Sequence, residues 1–390
     1  MYKIKYKADG QVERFKARLV ALVAKGYNKK EGLDYHETFS PVVKMVTVRT
    51  VLSVAAAKGW NVQQMDVYNA FLQGDLMEEV YMQLPQGFQA DEKRKGQGPV
   101  CKLIKSLYGL EQASRQWNVK LTNALIEAGF QQSHLDYSLM TKKVGNDIVV
   151  VLIYVDDLLV TGSSCQLIEE TKQVLKDHFR IKDLGDLRFF LGIEFARNSE
   201  GILMHQRKYA LELISDLGLG SSKPMSTPAE LNLKLTTPEF DDLVGDTSDS
   251  LLLDPGEYQR LVGRLLYLTL TRPDISYAVQ SLSQFMQAPK VSHMNAAIRV
   301  VKYVKQSPGF GILLTTQSTE SLQAYCDADW GSCINSRRSI TGYLIKYGDS
   351  PIYWKSKKQS TISKSSAEAE YRSLPPLLQR LLGLLVCSKH

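Results

Sequence analysis

The sequence predicts an α+β fold rather than a doubly wound one, and three observations carry that expectation. Strand-like runs come in pairs joined by short turns, alternating apolar and polar in 2–24 and apolar almost throughout in 148–162. Amphipathic stretches such as 113–128 stand between those pairs, and the resulting order reads β-α-β-β-α-β, without the steady strand-helix alternation of a parallel sheet. A chain of 390 residues has room for two or three domains, and its 44% hydrophobic and 23% charged content is that of an ordinary globular protein.

Residues 2–24 alternate, turn at Asp9-Gly10 and return, which is a β-hairpin pattern with a basic polar face. Directly after it Leu19-Val20-Ala21 is repeated as Leu22-Val23-Ala24, and such an insertion shifts the period-2 facing of whatever follows unless a bulge or loop absorbs it. The spacing predicts a helix over 46–59 and a short strand through Met65-Asp66-Val67. A second helix over 113–128 carries Trp117, Leu121 and Leu125 on one face and stops at Gly129. A hairpin over 148–162 follows, with Asp156 and Asp157 near its bend. A helix over 167–179 and a strand pair, 189–196 and 201–206, complete the pattern. Residues 221–256, rich in Ser, Thr, Pro and Asp, read as a long exposed connection. Three helices are expected over 258–270, 273–286 and 292–306, and strand-like alternation resumes from Gly311.

The net charge of +7 is unevenly placed: Lys3, Lys5, Lys7, Arg14, Lys16, Arg18, Lys25, Lys29 and Lys30 face only Asp9 and Glu13 in the first thirty residues. Such an arm favours a polyanion, because neutralising phosphates releases counterions, and a solvated charged hairpin is the plain alternative. The five cysteines show no CxxC spacing and the six histidines no paired helical spacing. That pattern excludes a disulfide framework and a zinc site and implies a reducing interior, hence an intracellular protein, cytoplasmic or nuclear. The apolar runs 148–160 and 374–386 are short of the roughly 20 residues a bilayer requires, and no secretory leader is expected, so no membrane partner is foreseen. Nothing in the composition sets an oligomeric state.

Asp156 and Asp157 lie in the apolar run IVVVLIYVDDLLV. An unpaired buried carboxylate costs several kcal/mol or more, so two together call for metal ions, basic partners or an exposed strand tip. Adjacent Asp residues are also ordinary turn residues. A carboxylate-rich site for divalent ions needs a third acid from a neighbouring strand, and Asp66, closing Gln63-Gln64-Met65-Asp66, is the candidate.

Four ordered motifs extend this: Tyr154-Val155-Asp156-Asp157, the MDVYNAFL run from Met65, the SLYGLEQASR run from Ser106, and Phe190-Leu191-Gly192-Ile193-Glu194. Together they resemble the reverse-transcriptase region of copia-type retrotransposon polyproteins, over almost the whole chain. The resemblance implies a right-hand polymerase with a ferredoxin-like palm, a helical connection and an incomplete ribonuclease H-like α/β module. The expected divisions are 1–206 for partial fingers and palm, 207–310 for linker, thumb and connection, and 311–390 for the last module. It implies that Asp66, Asp156 and Asp157 bind two Mg²⁺ ions, with Mn²⁺ as a substitute, and that the partners are an RNA or DNA template with its primer and deoxynucleoside triphosphates. Phe71 becomes a gate against a ribose 2′-hydroxyl, or a core aromatic, or both. Tyr108 and Gly109 would line the incoming nucleotide and template, and Lys16 and Arg18 would hold its triphosphate. Lys182 would donate a proton to pyrophosphate, or be a plain exposed lysine. The segment Phe190, Leu191, Gly192, Ile193, Glu194 would grip the primer end. Asp327 and Glu370, with Glu368 the less favoured alternative, resemble the first acids of ribonuclease H.

Several departures from the family pattern stand out. The fingers lack a preceding portion, the Leu-Val-Ala duplication sits beside Lys16 and Arg18, and Glu111 replaces a usual lysine. Pro375-Pro376 is expected to stop the helix that carries Glu370, and the tail from Leu377 departs altogether, so ribonuclease H activity is expected to be lost. Two other classes stay open: a catalytically silent remnant that binds nucleic acid through its basic arm, and an interaction module built on the helical region.

Overall fold

In the computed structural model of the protein, residues 2–6, 12–17, 24, 29–32, 34–84, 100–231, 233–245, 248–317 and 319–388 are described, without the side chains of 2–17, 376 and 379–388. The basic hairpin is β1 (Tyr2–Tyr6) and β2 (Val12–Ala17), antiparallel, with Lys16 on β2 opposite Lys3. The Asp9-Gly10 turn, Arg18 and all of the Leu-Val-Ala duplication except Ala24 lie outside the described residues.

The elements that follow are α1 (Met45–Ala57), β3 (Val62–Val67), the single turn α2 (Ala70–Gln73), the pair β4 (Asp75–Gln83) and β5 (Val100–Lys105), and α3 (Ala113–Glu127). Then come β6 (Gln131–Gln132), β7 (Leu139–Val144), β8 (Asp147–Tyr154), β9 (Asp157–Gly162), α4 (Cys165–His178) and β10 (Ile181–Asp186). Strands β10-β3-β9-β8-β7-β6 form one antiparallel sheet. Taking β3, β8, β9 and β10 as the four strands of the β-α-β-β-α-β pattern, the last lies beside the first and the third beside the second. The expected order is realised, with one correction: its closing strand is β10, not a strand over 189–196.

That segment is instead a tight hairpin, β11 (Phe189–Phe190) and β12 (Ile193–Arg197), because Leu191 and Gly192 turn at φ 53° and 73°. Two consecutive left-handed residues make a two-residue hairpin loop, and a glycine second in the pair eases it. Strand β13 (Gly201–His205) pairs with β12, and β14 (Ile312–Thr315), far along the chain, pairs with β13.

The apolar run in β8 is continuous because both faces of the sheet are covered. Val149, Val151 and Ile153 pack with Trp117 and Leu121 of α3 and Ile168 and Leu175 of α4, while Val150 and Leu152 pack with Val48 and Leu52 of α1 and with Phe190 and Ile193. Each such aliphatic side chain contributes roughly 1.5–3 kcal/mol on burial, which holds β8 and β9 rigid between two layers.

Helices α5 (Arg207–Asp216), α7 (Pro255–Leu268), α8 (Ser276–Leu282, flanked by 3-10 turns) and α9 (Val291–Gln306) share one core around Leu213, Tyr258, Leu265, Val279 and Val300. The connection expected to be exposed over 221–256 is partly tied down. It contains α6 (Pro238–Val244), whose Asp241, together with Asp249, takes the ammonium of buried Lys290. Opposite charge recovers the desolvation cost that a lone buried lysine would bear. A last antiparallel sheet, β15 (Leu322–Asp329), β16 (Ile340–Tyr347) and β17 (Ser350–Lys358), is backed by α10 (Ser366–Ser388).

Helix α10 runs through Pro375-Pro376, against the expectation that the prolines stop it. Proline fixes φ near the helical value and forfeits hydrogen bonds rather than the path. Here Ser373, Ala369 and Leu377 are buried, Leu377 in the core of Ile345 and Ile352, and those contacts keep the helical course. One buried cation joins the parts. Arg49 of α1 donates to the carbonyls of Leu270 (2.6 Å) and Ile352 (3.3 Å) and lies 3.9 Å above the Trp354 ring, while the Trp354 indole donates to Thr269 O. Burial pushes the Arg49 guanidinium down to about 9, so it stays charged at neutral pH.

Candidate active site

Asp66 is the penultimate residue of β3 and stands directly opposite Asp157, the first residue of β9. Asp156 occupies the two-residue turn Val155-Asp156 between Tyr154 and Asp157, which are themselves paired. Three acids far apart in sequence thus meet at one end of two neighbouring strands, Asp156 exposed and the other two half-buried.

Burial raises the Asp157 carboxyl above the ordinary carboxylate range, the charges of Asp156 and Asp66 push it further the same way, and the Gln64 amide acts in opposition. None of the three acids has a lysine or arginine among the ion pairs of the described residues. Like charges left uncompensated repel. Among the described residues no group of three or more His, Cys, Asp or Glu side chains is placed to hold a metal ion. Carboxylate oxygens without a cationic partner are the donor type that hard divalent ions prefer.

The turn itself is strained. Val155 has φ 54°, a region that costs a β-branched residue of order 1–3 kcal/mol. Two hydrogen bonds hold it there: the Trp117 indole donates to Val155 O at 2.7 Å, and the Val67 amide donates to Asp156 O at 2.8 Å. Trp117 is 1% exposed and meets Phe179 edge-on at 5.1 Å, so its donor has little freedom.

Around the acids the structure gathers several expected residues. Phe71 on α2 packs against Tyr108, ring centroids 4.9 Å apart, and also enters the core shared with α3, as its reading as a core aromatic expects. Burial raises the Tyr108 hydroxyl, and the charges of Asp156 and Asp66 raise it further, which puts it within electrostatic reach of both. Gly109 turns at φ 91° before α3. Lys182 stands opposite Asp66 on β10, with an exposed side chain.

The 190–194 hairpin is joined to the same end of the molecule: Phe190, 1% exposed, meets Tyr154 at 6.4 Å. Its turn leans on α7, where the Tyr267 hydroxyl donates to Leu191 O at 2.8 Å. A Cβ at Gly192 would lie 1.9 Å from that hydroxyl oxygen, so a side chain there would displace Tyr267 and break its bond to Leu191 O. Glu194 accepts from the Lys208 amide at 2.8 Å and thereby anchors the start of α5. The backbone of Lys16 is placed on β2, whereas Arg18 is outside the described residues.

A second pair of acids lies apart from these. The Ala328 amide donates to both Asp327 (2.9 Å) and Glu370 (3.2 Å), so the two carboxylates share one N–H. Glu368 is engaged by Arg372 at 2.6 Å and by the Lys364 amide. The cavity of about 420 Å³ lined by Leu235, Tyr277, Phe285 and Cys333 touches none of the acids.

Sequence reasoning missed Gln64 and the polar role of Trp117. Gln64 was legible in principle, since it lies two residues before Asp66 on the same strand face. Trp117 was legible only as a core aromatic, because nothing local says where its N–H points.

Comparison with known proteins gives a consistent picture. Residues 1–231 match the family described as reverse transcriptase (RNA-dependent DNA polymerase). The chain is 45% identical over 370 residues to the retrovirus-related Pol polyprotein from transposon RE2 of Arabidopsis thaliana, covering 95% of this chain and 24% of that protein. With its counterpart from transposon RE1 of the same plant the identity is 46%, with the same coverage. With that from transposon TNT 1-94 of Nicotiana tabacum it is 37% over 375 residues, 95% of this chain and 28% of the relative. The chain therefore spans about a quarter of the length of these relatives.

Proposed function

The chain belongs to the reverse transcriptase family, in the branch of copia-type Pol polyproteins, and from that premise we propose that it is an RNA-directed DNA polymerase region. It adds deoxynucleotides to a primer 3′ end on an RNA or DNA template, with pyrophosphate leaving. One observation carries the reading: Asp66 and Asp157 face each other across β3 and β9, with Asp156 in the adjoining turn, and no basic side chain pairs with any of them among the described residues. Two divalent ions held by these acids, Mg²⁺ or Mn²⁺, would supply the charge that activates a hydroxyl and steadies a leaving phosphate.

The chain's own residues set the rest. In this reading the six-stranded sheet is the palm, with finger elements before it within 1–206. The helical core within 207–310 is thumb and connection, and 311–390 is a ribonuclease H-like module whose Asp327 and Glu370 are vestigial. Phe71, packed against Tyr108, closes the floor where a ribose 2′-hydroxyl would stand and so favours deoxynucleotides. Lys16 and Arg18 meet the triphosphate, Lys182 stands by the acids to hand a proton to pyrophosphate, and the 190–194 hairpin seats the primer end.

Purified protein with Mg²⁺ or Mn²⁺ is expected to extend an oligo-dT primer on poly-rA, and Asp156→Asn to abolish extension. Equal extension by both proteins would reject the assignment. Salt-dependent binding of primer-template with no extension at any metal concentration would replace it with a non-catalytic, nucleic-acid-binding remnant.

A further inference from the structure

We infer that Trp117 is a positioning residue for the carboxylate turn. Its indole N–H, by holding the Val155 carbonyl, fixes the backbone from which Asp156 and Asp157 project and so sets the affinity of that turn for divalent cations. The inference deepens the polymerase reading and rests on it for the identity of the reaction.

The argument begins with the turn. A valine at φ 54° relaxes unless its surroundings oppose the change, and a two-residue hairpin loop leaves its own carbonyls without ladder partners. Here both loop carbonyls are taken: Val155 O by Trp117 Nε1 at 2.7 Å and Asp156 O by the Val67 amide at 2.8 Å. With the two peptide planes clamped, the direction in which Asp156 leaves the backbone is set. The second clamp comes from β3, the strand that carries Asp66, so it tethers the turn to the third acid.

The first clamp comes from α3, and this gives it a further consequence. That helix follows directly on the 106–111 segment, whose Tyr108 ring meets Phe71 at a tilt and whose Leu110 shares a core with Phe71 and with Ala113, the first residue of the helix. A single indole N–H therefore ties the acids to the floor expected to carry the incoming nucleotide. The donor is well held: Trp117 is 1% exposed, braced by Phe179 at 5.1 Å, with its backbone so close to Gly74 that a Cβ there would lie 3.0 Å from Trp117 N. An indole serving only as apolar filling needs no such aim.

The test uses the full chain. Trp117→Phe keeps a ring and removes the donor. Incorporation of 3-benzothienylalanine at 117, an isosteric ring without N–H, serves as a second variant should the phenylalanine form fold poorly. Phe130→Leu thins the same core at a residue outside the Trp117–Phe179 ring pair and leaves the indole bond in place, and Asp156→Asn reports ligand loss. Free Mn²⁺ is counted by electron paramagnetic resonance, primer extension is measured across a Mn²⁺ series, and thermal unfolding is followed in chelator.

Both Trp117 variants should weaken Asp156-dependent Mn²⁺ binding about tenfold, the usual scale for loss of an orienting partner outside the ligand set. They should lower kcat while the KM for dTTP moves less than about twofold, as befits loss of positioning rather than of substrate binding. Phe130→Leu should lower the melting temperature without moving the Mn²⁺ midpoint. An unchanged midpoint in the Trp117 variants, or an equal shift in Phe130→Leu, overturns the inference whatever happens to extension. A wild type that binds Mn²⁺ through Asp156 and the Trp117 bond yet extends no primer leaves the inference standing and removes the polymerase reading. Absence of Asp156-dependent Mn²⁺ binding in wild type removes both.

Discussion

The acids at the β8–β9 turn and the acids at β15 and α10 are supported in different ways. In the first region, two strands buried on both faces bring Asp66 opposite Asp157, and side-chain and backbone donors clamp the turn between Tyr154 and Asp157. Their carboxylates have no cationic partner among the described ion pairs, and their mutual repulsion is a cost that a divalent ion would remove. In the second region, Asp327 and Glu370 are exposed and share one backbone N–H, and the next acid, Glu368, is occupied by Arg372. The repulsion in the strained turn is felt in half-buried surroundings, where water screens it less. Asp327 and Glu370 also lack an ion-pair partner among the described residues, but both are exposed and solvent screens them.

The largest expected effect tests that contrast directly. Asp66→Asn should lower primer extension about a thousandfold, equivalent to about 4 kcal/mol, whereas Asp327→Asn and Glu370→Gln should leave the rate within about twofold. Comparable losses in both regions would show that the C-terminal acids take part in the same reaction.

A smaller effect asks whether the two regions fold as one. Arg49→Met removes the guanidinium that bonds Leu270 O and Ile352 O and stacks on Trp354. Two carbonyls lose a charged donor, at about 1–3 kcal/mol each in buried surroundings. Differential scanning calorimetry should then resolve a lower-melting transition, and limited proteolysis should cut first in the C-terminal sheet. A single unshifted transition would mean that other contacts hold the regions together.

The smallest effect is the pH dependence of Asp157. Its folded-state value is raised above the ordinary 3.8, so its contribution to stability is present in full below that value and is lost as pH rises through the raised one. Asp157→Asn should therefore melt about 1 °C higher than wild type at neutral pH in chelator, a modest gain because the group is half-exposed and screened. It should show no gain below the ordinary carboxylate range, and Mg²⁺ should reverse the order at neutral pH. A variant that melts lower than wild type in chelator at neutral pH would show that the acids do not repel.

The local pattern already showed the elements that carry the acids: the strand through Met65-Asp66-Val67, the hairpin with Asp156 and Asp157 at its bend, and the helix ending at Gly129. Periodicity and turn residues act within a few positions, and these segments are locally consistent. Motif spacing likewise named the family that the comparisons then showed. Where the reading failed, a distant partner outweighed a local preference. Pro375 and Pro376 did not end α10 because Ala369, Ser373 and Leu377 bury against the sheet beneath them, and the polar connection around Asp241 is held by Lys290, 49 residues onward.

What the sequence determined alone is therefore the inventory: which residues are acids, which segments are strands, and that an apolar hairpin ends in two carboxylates. Only the tertiary structure decided that Asp66 lies across from Asp157, that Lys182 lies across from Asp66, and that a tryptophan 38 residues before the turn directs its N–H at Val155. Register between strands and the aim of a buried donor depend on contacts between residues far apart in the chain, and those energies exist only once the chain has closed on itself.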